Sequence, residues 1–165
     1  MSLKKTLLFL LLSVSFLKST AQNFELGKVS IAELQQKVHP TDTAAVAAIL
    51  FEKGRNTYEY SKENGFVMLT EVKTRIKIYK KEGYSYANIE VPIYVGGSER
   101  ELLDFSKAYT YNLLNGKIEK SKLKSDGEFI EKTNKFWSKV KISMPNVKEG
   151  SIIEYTYTLK SPFFT

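Results

Sequence analysis

The chain has 165 residues, no cysteine, one histidine and a formal charge of +7. Without cysteine there is no disulfide framework, thiolate nucleophile or lipid-modified cysteine anchor, and a single histidine rules out a histidine-rich metal site. Three of the basic residues, Lys4, Lys5 and Lys18, belong to the N-terminal segment; removing them lowers the charge from +7 to +4, an ordinary balance for solubility.

That segment has the layout of an export signal. Lys4 and Lys5 precede the apolar run from Thr6 to Leu17, and the small residues Ser19-Thr20-Ala21 come just before Gln22. The run is roughly half the length a membrane span needs, and Lys18 closes it. The pattern predicts a signal peptide over residues 1–21, cleaved between Ala21 and Gln22. It predicts no transmembrane helix afterwards, and a final location in the periplasm, at the outer-membrane surface or in the medium. Residues 22–165 are enough for one domain with a single core.

Ser30-Ile31-Ala32-Glu33 has the spacing of a capping box and predicts a short helix from Ile31 to about Val38, ended by the approach to Pro40. Ala44 to Phe51 is helix or strand by pattern alone: its alanines argue for helix, while Val46, Ile49, Leu50 and Phe51 before Lys53-Gly54 suit a buried strand, the reading preferred here. From there the period is two. Thr57 to Tyr60 reads as a short strand, Asn64-Gly65 as a hairpin turn, and Phe66 to Tyr79 as a long strand. In that long strand Val72, Ile76 and Ile78 are expected to face the core, with Glu71, Lys73, Arg75 and Lys77 facing out.

Tyr84 to Tyr94 follows, where Pro92 argues for an edge position or a bulge. Leu102 to Leu114 alternates through Phe105, Tyr109, Tyr111 and Leu113; Asn115-Gly116 turns it, Lys117 to Leu123 returns, and Ser125-Asp126-Gly127 turns again into Phe129 and Ile130. Last come two runs either side of a loop punctuated by Pro145-Asn146 and Glu149-Gly150. Phe136, Ser138, Val140, Ile142 and Met144 alternate before it, and Ile153, Tyr155, Tyr157 and Leu159 alternate after it, opposite Glu154, Thr156 and Thr158. The two runs are expected to pair as an antiparallel hairpin with one buried face. Together these elements predict a mainly β chain: an antiparallel β-sandwich or twisted sheet with one short N-terminal helix. The apolar ending Ser161-Pro162-Phe163-Phe164-Thr165 leads us to expect a longer parent polypeptide.

Arg75-Ile76-Lys77-Ile78-Tyr79 with Lys81-Glu82-Gly83, Ala108-Tyr109-Thr110-Tyr111-Asn112 with Asn115-Gly116-Lys117, and Met144 to Tyr155, MPNVKEGSIIEY, carry a family resemblance. The chain resembles the domain of unknown function 3857 of exported proteins from Bacteroidota-type bacteria, over nearly all of residues 22–165. The resemblance implies a β-rich N-terminal module ahead of a transglutaminase-like domain of papain-related fold, whose Cys, His and Asp triad would lie beyond Thr165. No catalytic position carries over, and the family has no assigned activity.

The candidate chemistry of the chain itself is thin. His39, beside Pro40 and near Asp42, sits outside any nucleophile signature and reads as a loop histidine. Glu99, Glu101 and Asp104 lack the ligand spacing of a cation loop. Glu119, Glu128, Glu131 and Glu154 act as a glycosidase pair only if the fold brings two of them together, and read otherwise as outward strand positions. Gly96-Gly97 lacks the continuation of a phosphate loop. Lys117, Lys120, Lys122, Lys124, Lys132, Lys135, Lys139 and Lys141 interleave with Phe129, Phe136 and Trp137 but also with four acids, and lysines guarding strand faces and edges are the simpler reading than nucleic acid. Most tyrosines and phenylalanines are expected in the core, with Trp137, on the polar side of its strand, as the exception and the first guess for a contact.

The residues themselves predict no catalytic residue, cofactor or metal, and the resemblance implies a non-catalytic module that packs on, or presents substrate to, a downstream transglutaminase-like domain. The alternative is a free-standing binder of envelope glycan or peptide through Trp137.

Overall fold

The computed structural model describes residues 24–62, 65–97 and 99–163. The predicted signal segment, Asn64 of the predicted turn and Ser98 lie outside them. Helix α1 (Ile31–Gln35) is followed by eight strands: β1 (Ala47–Ser61), β2 (Gly65–Ile78), β3 (Asn88–Tyr94), β4 (Leu102–Leu114), β5 (Lys117–Lys122), β6 (Glu128–Lys132), β7 (Trp137–Ser143) and β8 (Ile152–Ser161). They form a five-stranded sheet of order β1-β2-β8-β4-β5 and a three-stranded sheet of order β3-β7-β6, antiparallel throughout. The mainly β class is as the two-residue rhythm predicts.

The sheets pack face to face. Ile76 and Ile78 of β2, Ala108 of β4 and Ile153 and Tyr155 of β8 meet Ile89 and Val91 of β3 and Ile142 of β7, with Ala87 and Met144 closing the cluster. A second, smaller cluster lies on the far side of the five-stranded sheet, where Leu34 of α1 packs on Tyr111 and Ile152. The large sheet is thus covered on both faces along part of its length.

Several local expectations hold for their stated reasons. Ser30 caps α1, with the Glu33 amide donating to its hydroxyl at 3.2 Å and the Glu33 carboxylate accepting from the Ser30 amide at 2.7 Å. Pro92 lies on β3, an edge strand. Asn115 and Gly116 take φ of 51° and 76°, the left-handed pair a tight hairpin turn requires.

Other expectations are corrected. β7 and β8 do not form a hairpin: the 144–151 connection crosses from the small sheet to the large one, where β8 is the central strand. Consequently β8 is buried on both faces over Ile152–Thr156, not on one. Residues 47–51 and 57–60 belong to one 15-residue strand, half-buried to exposed rather than buried, that starts at Ala47 instead of Ala44 and runs straight through Gly54, because Gly54 pairs with Val72 in the ladder. Residues 81–87 form a 3-10 turn, so β3 starts at Asn88 rather than Tyr84. A bulge at Ser106 shifts the phase of β4, sending Phe105 to the inter-sheet core and Tyr109 and Tyr111 to the opposite face. The aromatic side chains are less internal than their alternation implies: Tyr58, Tyr60, Phe66, Tyr86, Phe129 and Phe136 are all exposed, so Trp137 is not an exception.

Gly83 shows how tightly the 3-10 turn is seated. A Cβ there would stand inside contact distance of the Val46 backbone carbonyl, which cannot swing aside as a side chain would. Gly83→Ala is expected to cost roughly 1–3 kcal/mol, the usual cost of overpacking, read as a lowered urea midpoint at unchanged m-value.

Candidate functional site

The most unusual chemistry lies where the N-terminal segment crosses the outer face of the large sheet. Arg75 and Lys77 are two residues apart on β2 and project from the same face. Neither reaches water: Arg75 is 2% exposed and Lys77 0%. Both were expected to face outward, and both do leave the inter-sheet core, but residues 24–35 roof them over.

The Arg75 guanidinium is almost fully satisfied. Its Nε donates to Glu154 Oε1 at 2.6 Å, Nη1 to Glu33 Oε1 at 2.8 Å, and Nη2 to the carbonyls of Glu25 and Lys28, each at 3.1 Å. Nη2 also pairs with Glu154, whose second oxygen accepts the Gly27 amide at 2.8 Å. The Phe24 ring lies 4.0 Å over the guanidinium and stacks on Phe51 at 4.1 Å. Arg75 therefore holds three parts of the chain together: β8 through Glu154, α1 through Glu33, and the 24–28 segment through its carbonyls. Burial raises the pKa of Glu33, but the Ser30 amide and hydroxyl and the Arg75 charge outweigh it and leave the carboxyl below its ordinary value.

Lys77 has no carboxylate in ion-pair contact among the described residues. Its ammonium donates to the carbonyls of Leu34, at the end of α1, and Gly150, at 3.0 and 2.5 Å. Burial, with Lys37 nearby, pulls its pKa down to about 8. Beside it Ser151 donates to Asn112 at 2.5 Å, and Asn112 donates to the carbonyl of Asn146, a residue held at φ 54°. The stretches that carry the family resemblance, 75–79, 108–112 and 144–155, thus converge on one buried polar cluster although they lie far apart in sequence.

The candidate catalytic residues are not brought together. Glu154 is bound to Arg75, Glu131 to Lys141 on the outer face of the small sheet, and Glu119 and Glu128 lie on separate strands. The His39 Nδ1 accepts the Asp42 amide at 3.2 Å within its own loop. Glu101 accepts the Tyr94 amide at 2.8 Å, and burial and the Asp104 charge push the Glu128 carboxyl up. Gly96 packs beneath Tyr94 and Phe136 instead of opening towards an anion. Among the described residues no group of three His, Asp or Glu side chains could hold a metal ion.

The predicted basic stretch is also divided. Lys139 and Lys141 bridge β3, β7 and β6 through Glu90 and Glu131, holding the Glu90 carboxyl down at about 2. Lys120, on the large sheet, sits 3.7 Å over the Tyr109 ring. Trp137 is 44% exposed, as its place beside Lys139 predicts. Its ring meets Tyr94 edge-on at 5.5 Å, and Tyr94 also contacts Phe136 at 6.3 Å and Phe163, just past β8, at 5.3 Å. Sequence spacing gave Trp137 but not this cluster, which β3, β7 and the end of the chain build together.

The sandwich and its roofed sheet define a class by architecture. No protein-family model matches the chain, and no curated protein matches it. Among solved structures it is similar to one from Parabacteroides distasonis ATCC 8503, described as a "putative protease", with a TM-score of 0.53 and 10% identity over 70% of this chain. The chain spans 23% of the length of that protein, and the likeness is one of fold.

Proposed function

We propose that the chain is a non-catalytic contact module of an exported protein, seated against a transglutaminase-like domain that follows Thr165 in the same polypeptide. The observation that carries this reading is the aromatic cluster of Tyr94, Phe136, Trp137 and Phe163. It is partly exposed and lies where β8 leaves the sandwich, so polypeptide continuing from Phe163 would emerge beside it. The resemblance to the domain of unknown function 3857 supports a module that precedes such a domain. The likeness to a stretch of a longer chain supports a fold that occurs as part of a larger protein. Work by contact, with bond-making left to the neighbouring domain, fits side chains tied up in structural pairs.

The single tryptophan makes the test direct. In the full reading frame, the Trp137 component of the fluorescence, isolated as the difference from Trp137→Phe, is expected to shift to shorter wavelength relative to residues 1–165 alone. A reading frame that stops at Thr165, or an unshifted spectrum in the longer protein, removes the proposal.

A further inference from the structure

The outer face of the large sheet carries a second feature, remote from Trp137. Beside the 24–28 segment runs a groove of about 860 Å³, lined by Phe51, Lys53, Arg55, Lys73, Lys107 and Thr156 among others. A smaller hollow of about 260 Å³ shares Lys107 and Thr156 with it and adds Lys120. The register explains the charge. Lys53 stands opposite Lys73, Lys73 opposite Thr156, and Thr156 opposite Lys107, so one row crossing four strands reads Lys, Lys, Thr, Lys. With strands about 4.8 Å apart, these like charges are neighbours, an arrangement that costs stability unless something neutralises it.

The protein itself neutralises little of it. Of the two carboxylates lining the groove, Glu71 is paired with Lys73 at 2.5 Å and Glu25 with Lys28 at 2.7 Å. Lys53, Arg55 and Lys107 have no ion pair among the described residues. A second and independent observation comes from Thr156. It is 4% exposed, its Oγ1 has no hydrogen-bond partner, and it lies in the middle of the row, lining both hollows. A buried hydroxyl left unpaired is costly, and a ligand oxygen in the groove would satisfy it.

We propose that this groove binds an acidic glycan, a chain of sugar residues bearing carboxylates. Three free cations would meet the carboxylates, and the Thr156 hydroxyl would meet a sugar oxygen. The floor favours a glycan over the other polyanions. The row crosses the face of the sheet over β2, β8 and β4, each paired on both sides, and the one open edge beneath the groove, that of β1, lies at its rim, so an acidic peptide lying across the row would find no backbone to extend. Both faces of the Phe24 ring are taken, one by Arg75 and one by Phe51, so it offers no platform for a nucleic-acid base.

The test is titration of the full chain with alginate oligomers at low and moderate salt, beside neutral dextran, poly-glutamate and oligo-dT. Alginate is expected to bind, weakening as salt rises, with dextran silent and the other two polyanions clearly weaker. Lys53→Gln with Lys107→Gln is expected to weaken binding about tenfold or more, since two charge-assisted contacts are removed from exposed side chains. Thr156→Val is the sharper probe: removing an unpaired hydroxyl is expected to leave or raise the thermal midpoint while weakening alginate binding about three- to tenfold. Equal binding of poly-glutamate or oligo-dT, no binding of alginate, or binding unchanged in folded variants of both kinds would each overturn the proposal. None of these readouts depends on what Trp137 contacts.

Discussion

Arg75→Ala is expected to be among the most damaging single substitutions in the chain, lowering stability by about 3–5 kcal/mol. The cost comes less from the lost attraction than from what remains. Glu154, 3% exposed in the centre of the large sheet, would keep a buried charge stripped of its cation, with the Gly27 amide still donating to it. The carbonyls of Glu25 and Lys28 would lose their donor, and the Phe24 ring the cation beneath it. Residues 24–35 should then loosen first, giving faster amide exchange there than in β2 or β8. Chemical denaturation measures the loss, and the partner variant explains it. Arg75→Met combined with Glu154→Leu removes the fully buried pair and is expected to recover part of the stability, because an apolar pair of similar volume avoids its desolvation penalty while Glu33 and the carbonyls of Glu25 and Lys28 remain without the Arg75 donor. Equal damage in the single and double variants would show that Arg75 works through packing rather than charge.

The second large effect is a dependence on pH that runs opposite to the usual acid loss. Lys77 is pulled down to about 8 in the folded protein, whereas an unfolded lysine titrates near 10.4. Below pH 8 both states hold the proton, and the penalty for burying the ammonium is paid in full. Between pH 8 and 10.4 the unfolded chain binds more protons than the folded one, so stability rises with pH. The gain between pH 7 and 9 is roughly 1 kcal/mol. Towards pH 10 the trend should turn, because burial pushes the phenols of Tyr79, Tyr111, Tyr155 and Tyr157 up and the unfolded chain then loses protons first. Urea midpoints at pH 7, 8 and 9 would show the rise, and Lys77→Met should flatten it. A wild-type midpoint that is level or falling over this range would contradict a buried ammonium.

Arg75 and Lys77 also mark where sequence reading reaches its limit. Their alternation with Ile76 and Ile78 placed them on the face away from the inter-sheet core, and that is where they are. Alternation compares two faces of one strand and carries no information on what covers the second. The roof is built from residues 24–35, some fifty positions earlier in the chain. Ser30 and Glu33 announced the helix through the capping box, but nothing local announced that Glu33 would also serve Arg75.

The misplaced hairpin has a similar cause. Residues 137–143 and 152–161 each read correctly as strands, and a short loop favours pairing of neighbours. Here the loop turns through Asn146 and Gly150, at φ 54° and 85°, and is fixed by Asn112 and Ser151, so β8 enters a different sheet. The groove was hidden for the same reason. Lys53, Lys73, Thr156 and Lys107 come from four strands and form a row only once their registers are set.

By itself the sequence determined the mainly β class, the start of α1, the edge position of Pro92, the Asn115-Gly116 turn and the exposure of Trp137. Each is a local choice, fixed by dihedral preference or by the two-residue alternation of side chains. Tertiary structure alone decided which strands are neighbours, which second faces are covered, and hence which charges are buried in pairs and which stand unpaired in a groove. Those outcomes depend on contacts between distant residues, and strand pairing and burial are properties of the assembled sheets.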